Sequence, residues 1–192
     1  MSRHFRRLSL AQGASLSVFG LLVGLALLIV APRVRLFPLN ALLVLVAWFC
    51  LWFFSHDLAH HIVGRITGVG FRYYFLGRSA ITKLDLPIAS NLLRLVPVLG
   101  LKIDKSSLNS ISPNRVRAMY ASGALFSMFL PWLVIPTSFA VGLTVGIFLT
   151  LLTVANDVFT LYFSPQVGDL HHARMVRSQI QPSITIHSEA EG

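Results

Sequence analysis

The sequence predicts an all-α polytopic membrane protein of about four transmembrane helices, with a small β-hairpin or interfacial insertion between helices two and three. Hydrophobic residues make up 55% of the 192 residues and charged residues only 12%, where a soluble domain carries about 25% charged residues. The mean hydropathy is +0.71, and the apolar residues fall in long uncharged runs. These observations argue against a soluble domain, a disordered chain and a fibrous repeat.

The net charge of +9 bears on the expected partners. In a membrane protein such an excess is typical of the cytoplasmic Lys/Arg bias, so we expect a lipid bilayer and no nucleic acid as partner. The single cysteine, Cys50, excludes an intramolecular disulfide framework and a cysteine-based zinc ribbon.

The first two helices are predicted at about 14–31 and 38–67. The first run is uncharged and is longer than the apolar part of a signal peptide, and Pro32 follows the only small-residue cleavage site, so we interpret it as a retained helix. The second run is uncharged over 36–56, and Pro38 suits the first turn of a helix.

Helices three and four are predicted within one long uncharged stretch. Residues 118–156 carry no charge, which corresponds to about 58 Å of helix, or roughly two crossings of the membrane core. Pro113 suits the first position of a helix, and Pro131 and Pro136 mark the expected turn. The sequence therefore predicts helices at about 113–135 and 137–163.

The distribution of basic residues predicts the orientation. The link between helices three and four is uncharged, whereas the segment between helices two and three carries Arg65, Arg72, Arg78, Lys83, Arg94, Lys102, Lys105, Arg115 and Arg117. The positive-inside rule places 65–117 and both termini in the cytoplasm. We expect a basic N-terminal segment at 1–13, a membrane-embedded domain at 14–172 and a flexible tail at 173–192.

The segment between helices two and three also carries strand signals. Residues 71–75 are rich in aromatic side chains, 82–86 alternate between polar and apolar, and 76–79 suit a turn. This pattern predicts a β-hairpin. Residues 92–99 predict a short interfacial element, and the alternative for the whole segment is a basic loop on anionic lipid.

The end of helix two carries a candidate metal motif. His56 and His60 are four residues apart, so their imidazoles lie on one helix face, as when a helix offers two nitrogen ligands to one zinc ion. Asp57 stands where the general base stands in the H-E-x-x-H arrangement. Histidines on a solvated helix end are the alternative. His61 points about 100° away from His60 and is expected at the surface or in a supporting contact.

A third ligand must come from elsewhere in the chain. Asp157 lies inside an apolar helix and needs a partner, and Asp169 follows Gly168 after a break that can turn the chain back toward the motif. His171 and His172 are further candidates, although a solvated helix end explains them adequately. Residues alone leave Asp169 and Asp157 open.

These features together resemble the site-2 protease family of intramembrane zinc metalloproteases. The histidine motif ends an early transmembrane helix, 68–77 resemble the strand-forming stretch that follows it, and 121–125 resemble a small-residue motif of the next helix. Asn156 with Gly168 and Asp169 resembles the last motif, in which an asparagine precedes an aspartate metal ligand. The resemblance covers roughly 40–172.

The resemblance implies a zinc metalloendopeptidase that hydrolyses transmembrane segments of membrane-protein substrates near the cytoplasmic face. It implies Zn2+ held by His56, His60 and Asp169, with Asp57 catalytic and Asn156 binding substrate. The chain departs from the family at Asp57, which replaces glutamate, and at Ala124 and Ser127, where proline and asparagine are usual. The spacing from Asn156 to Asp169 is also longer than usual.

Two other hypotheses remain open, and the replacement of glutamate by Asp57 motivates the first of them. The chain is a pseudoprotease that binds zinc or a partner helix without hydrolysis, or it is a small scaffold in a homo-oligomer or a larger complex. The glycine pairs Gly20–Gly24 and Gly142–Gly146, which favour close helix packing, support the scaffold hypothesis.

Overall fold

The computed structural model of the protein describes residues 6–77 and 98–178. In this part of the chain, four segments are long and apolar enough to cross a membrane: Leu10–Arg33, Leu39–Thr67, Pro113–Val141 and Leu143–Gln166. A three-stranded sheet accompanies them. The predicted all-α polytopic fold with a small β insertion is therefore confirmed.

Helices α1 (Leu10–Val30) and α2 (Leu39–Thr67) form the first pair of spans. Helix α1 begins four residues before the predicted position because Ser9 and Gln12 form a capping box, in which each side chain accepts a hydrogen bond from the other residue's backbone N–H. Helix α2 ends at Gly68, whose φ of 92° is a left-handed conformation that favours glycine.

Helix α2 is the central helix of the bundle and packs against α1 on one side. Gly20 and Gly24 of α1 are buried in this contact. A Cβ atom at Gly24 would lie 3.0 Å from the Cβ atom of Cys50. The small residues therefore allow the close approach of the two helices.

The third span is irregular. It consists of α3 (Pro113–Phe129), a 3-10 helix (Leu130–Val134) and α4 (Ile135–Val141). The predicted turn at Pro131 and Pro136 is wrong, because each proline occupies the first turn of a new helical segment, where a missing backbone donor costs little.

The chain reverses at Gly142 instead, and α5 (Leu143–Val167) returns beside α3. Helix α5 also passes its predicted end at 163, because Pro165 lies only in its last turn. A short helix follows, α6 (Asp169–Ser178), which packs against α3. The predicted flexible tail is therefore wrong for 173–178, where Ala173 is buried; residues 179–192 lie outside the described part.

The strands are β1 (Arg6–Leu8), β2 (Phe71–Gly77) and β3 (Val98–Ile103), all antiparallel with β2 in the centre. Strand β2 begins where predicted, but the turn expected at 76–79 does not begin at Leu76, because Leu76 still pairs with Leu99.

Two further predictions for this segment have different outcomes. Leu99 lies in β3 and not in an interfacial element. Residues 82–86, predicted as the second strand, lie outside the described residues, as do 78–79 and 92–97. The pairing of β1 with β2 places Arg6 and Arg7 in the sheet, which the sequence analysis did not predict.

A buried cluster holds the membrane bundle together, and it comprises Ala31, Val44, Trp48, Leu51, Val134 and Leu149. Within it the Trp48 indole Nε1 donates a hydrogen bond of 2.8 Å to the Thr153 hydroxyl, which links α2 to α5. The outward faces are apolar and exposed, with Phe19 at 64% and Phe129 at 66%. Such faces suit a lipid bilayer.

We predict that Thr153→Val lowers the free energy of unfolding by about 2 kcal/mol, because the Trp48 Nε1–H loses its buried acceptor while the side-chain shape is kept. Equilibrium unfolding in mixed micelles measures the change. Thr150→Val is the matched control, since the Thr150 hydroxyl donates only to the Gly146 carbonyl of its own helix. Equal effects of the two substitutions would contradict this role of Thr153.

Candidate metal centre

Three side chains from two helices converge in the bundle. The Nε2 atoms of His56 and His60 lie 3.1 Å and 3.3 Å from Oδ2 of Asp169. All three ligand atoms lie within 4.8 Å of one another. The structure thus brings together the two histidines of α2 and the aspartate that begins α6.

The turn at Gly168 directs Asp169 toward the histidines. A Cβ atom at Gly168 would lie 2.9 Å from the backbone Cα atom of Ser164, so glycine is needed for this close approach. The Ser164 hydroxyl accepts a hydrogen bond from the Leu170 N–H. Helix α6 is held against α3 by ring stacking of His172 on Tyr120, with centroids 5.4 Å apart.

Hydrogen bonds on the far side of each ring orient the two imidazoles. His60 Nδ1 lies 2.7 Å from the Met119 carbonyl, which can only accept, so Nδ1 carries a proton and Nε2 is the atom turned toward Asp169. His56 Nδ1 lies 3.4 Å from Ser127 Oγ, which donates its own proton to the Ala124 carbonyl. Both Nε2 atoms are therefore presented as ligands.

Gly123 makes room for the His60 ring. A Cβ atom at this position would lie 2.1 Å from His60 Nε2, well inside contact distance. Its neighbours Ser122 and Ala124 are also small and buried. The small-residue stretch of α3 is thus what allows the imidazole to lie between α2 and α3.

The two distances between the histidines and the aspartate match those expected for neighbouring zinc ligands. Zinc bonds of about 2.0–2.1 Å in a tetrahedron separate neighbouring ligands by about 3.4 Å, close to the 3.1 Å and 3.3 Å between the imidazoles and the carboxylate. Two nitrogens and one oxygen are a usual protein ligand set for a catalytic zinc ion, which would take a water molecule as its fourth ligand. An ion pair of Asp169 with a protonated imidazole would give the same distances, so metal content must separate the two interpretations.

The surroundings of Asp169 favour its ionised carboxylate form. Burial of its side chain favours the neutral form, but hydrogen bonds and charge from His56 and His60 outweigh this effect and hold the pKa of Asp169 below its usual range. The ionised form is the one that binds a metal.

Asp57 lies beside this cluster. Its side chain is only 6% exposed and is close enough to His56, His60 and Asp169 to interact with their charges. It is also near Tyr74 of β2, whose pKa is raised by burial and by the charge of Asp57. The protonated Tyr74 hydroxyl lies 3.0 Å from His61 Nδ1, which gives His61 a supporting contact with the sheet.

The remaining candidates from the sequence lie elsewhere. The Asp157 carboxylate accepts hydrogen bonds from Trp132 Nε1 at 2.9 Å and from Asn156 Nδ2 at 3.3 Å, and it is not part of the metal group. Asn156 Nδ2 also lies 3.3 Å from the Ser127 carbonyl, at the edge of the site. Neither His171 nor His172 joins the metal group.

The sequence analysis missed two supporting groups. The Met119 carbonyl is a backbone atom, so no residue pattern signals it. Ser127 carried a signal, because it lies four residues after Gly123 on the same face of α3.

We predict that Gly123→Ala weakens zinc binding by roughly tenfold to a hundredfold, because the new methyl group displaces the His60 ring from its orienting contact with Met119. Zinc retained per chain against a series of competing chelator concentrations measures this. Gly142→Ala is the matched control, because a Cβ atom there meets nothing within 4 Å. Unchanged affinity in Gly123→Ala would contradict the assigned packing.

Comparison with known proteins gives no family assignment. The chain matches no protein-family model, and neither curated proteins nor solved structures give a significant match.

Proposed function

We propose that the protein is an intramembrane zinc metalloprotease of the site-2 protease type, which cleaves transmembrane segments of membrane proteins near the cytoplasmic face. The observation that carries the proposal is the convergence of His56 Nε2, His60 Nε2 and Asp169 Oδ2, with the buried Asp57 carboxylate beside them. The two histidines lie within a segment long and apolar enough to cross a membrane. A hydrolytic site at this position would meet a substrate inside the bilayer.

His56, His60 and Asp169 would hold the zinc ion. Zinc in such a site lowers the pKa of water toward neutrality and polarises a carbonyl group as a Lewis acid. The Met119 carbonyl and the Ser127 hydroxyl lie at the Nδ1 atoms of the two imidazoles, which turns both Nε2 atoms toward Asp169. Gly123 keeps α3 close against His60, which limits the access of bulk water from that side.

Asp57 would act as the general base and then as the general acid. Its carboxylate would accept the proton of the attacking water and pass it to the nitrogen of the leaving amine. Asn156 lies at the edge of the site with its amide N–H near the Ser127 carbonyl. It would hold the substrate backbone by exchanging this hydrogen bond for one to a substrate carbonyl.

The sheet would present the substrate as an added strand, which exposes the peptide bond in extended form. Within the described residues β2 is paired on both sides. A further strand would therefore pair with β1 or β3, and not with β2.

The proposal includes the orientation of the helix bundle in the membrane. Arg65 at the end of α2, Lys102 in β3 and Arg115 at the start of α3 lie at the end of the bundle that carries the sheet. By the positive-inside rule this end would face the cytoplasm.

A pseudoprotease is the second candidate, and Asp57 is the residue that favours it. Aspartate is one methylene, about 1.5 Å, shorter than the glutamate of the resembling family. A carboxylate held that much farther from the water would support the fold and the metal without hydrolysis.

The metal site predicts about one zinc per chain in detergent-purified protein, and a loss of nearly all of it in the double variant His56→Ala/His60→Ala and in Asp169→Asn. The reason is that each change removes ligands from a three-ligand set. Elemental analysis of folded protein never exposed to chelator measures the content.

His171→Ala and Asp104→Asn serve as matched controls for the zinc measurement, because both residues lie outside the metal group. Both variants should keep their zinc. A wild-type protein without metal, or a double variant that retains it, would overturn the metal site.

For catalysis, we expect Asp57→Asn to slow cleavage of reconstituted single-span reporter proteins by roughly a hundredfold to ten-thousandfold, because it removes the general base. Zinc content should stay at the wild-type level in this variant, which separates proton transfer from metal binding. Asp57→Glu distinguishes the two candidate functions. If the Asp57→Glu variant cleaves the reporter and the wild-type protein does not, the natural protein is a pseudoprotease. Equal cleavage by the wild-type protein and the Asp57→Asn variant would exclude Asp57 as the base.

A further inference from the structure

Asp157 is a carboxylate inside a membrane span, outside the metal group. It is the only Asp, Glu, Lys, Arg or His residue in the apolar segment Leu143–Gln166, and its side chain is half-buried. Among the described residues the ion pairs join His56 and His60 to Asp169 and Arg72 to Asp104, and none includes Asp157. Because a carboxylate at this depth is costly, it calls for a functional partner.

Two donors hold the Asp157 carboxylate in place. Trp132 Nε1 donates to Oδ2 at 2.9 Å, and Asn156 Nδ2 donates to Oδ1 at 3.3 Å. A carboxylate has about four acceptor positions, so this arrangement leaves capacity for further donors. Trp132 itself is 40% exposed, so the carboxylate lies where the bundle meets its surroundings.

Polar groups lead from Asp157 to the candidate metal centre. Asn156 Nδ2 lies near Asp157 and near the Ser127 carbonyl, and Ser127 Oγ lies 3.4 Å from His56 Nδ1. These contacts run between α3 and α5. A transmembrane segment that lies along this path would meet Asp157 before it reaches the histidines.

We propose that Asp157 recognises a lysine or arginine side chain within the transmembrane segment of a substrate that approaches between α3 and α5. The inference rests on the proposed protease function and names a substrate class for it. Charge complementarity identifies the occupant, since a cation is the group that a fixed carboxylate in a low-dielectric environment binds best.

A second copy of this chain is a poor source of the cation. The arginine and lysine residues of its four spans lie close to the ends of the spans: Arg33, Arg65, Arg115 and Arg117. Asp157 lies nine residues before Gln166, which is about 14 Å along the helix. The proposed occupant is therefore a transmembrane segment of a different protein.

The test measures the binding of designed single-span Leu/Ala peptides to the protein in lipid vesicles by energy transfer between attached dyes. The peptides differ only in one residue, lysine, methionine or glutamate, about 14 Å from one end of the helix. All measurements use the Asp57→Asn background, so that the peptide stays intact. We expect the lysine peptide to bind about tenfold more tightly than the methionine peptide, and the glutamate peptide to bind least tightly.

Protein variants assign the preference to Asp157. Asp157→Asn should abolish the preference for lysine, whereas Asp157→Glu and the control Asp104→Asn should retain it. If Asp157→Asn does not fold, the order of the three peptides on the parent protein decides alone. Equal binding of the lysine and glutamate peptides, or a lysine preference that persists in Asp157→Asn, would overturn the inference.

The two proposals can fail separately. Zinc binding and cleavage without any preference for lysine would leave the protease standing and overturn recognition by Asp157. A lysine preference in a protein that holds no zinc would leave the carboxylate as a recognition site and overturn its assignment to a protease substrate.

Discussion

The close packing of α3 against α2 is the constraint on which the candidate site depends. The His60 ring occupies the space that a side chain at Gly123 would fill, and its Nδ1 atom reaches the backbone of α3 at Met119. Since the same helix supplies Ser127 to His56 and supports α6, one interface sets the positions of all three ligands. A wider separation of α2 and α3 would release the imidazoles and the aspartate together.

Polar groups inside the spans follow a common rule, because unpaired polar atoms are expensive at membrane depth. The buried Trp48 indole pairs with Thr153, and the hydroxyl groups of Ser122, Ser127 and Ser138 donate to carbonyls one turn earlier. Against this background the carboxylates of Asp57 and Asp157 stand out. Neither forms an ion pair with an arginine or lysine among the described residues. Asp57 lies beside the candidate metal ligands, and Asp157 lies beside Asn156 at the edge of the site.

The third candidate ligand, Asp169, shows what a sequence pattern predicts and what the fold adds. The residues alone leave Asp157 and Asp169 open as candidates, and the resemblance to the site-2 protease family favours Asp169. The structure separates them through two local features: the turn at Gly168 directs Asp169 toward α2, and Trp132 engages Asp157. Trp132 lies 25 residues before Asp157. It belongs to the irregular third span, whose course cannot be predicted from the positions of its prolines.

The amino-acid pattern was sufficient to predict the membrane-spanning class, the first two helices and the placement of His56 and His60 on one helix face. These properties depend on hydropathy and on the helical repeat, which are local. It misplaced the reversal at Gly142, because a proline suits the start of a helical segment as well as a turn.

Three features depend on the packing of the whole chain: β1 joins the sheet, α6 packs against α3, and Asp169 contacts the histidines. Each of these contacts joins residues far apart in the chain. They form because whole helices pack closely through Gly123 and Gly168, and no short stretch of sequence encodes which distant side chain will fill the space beside a glycine.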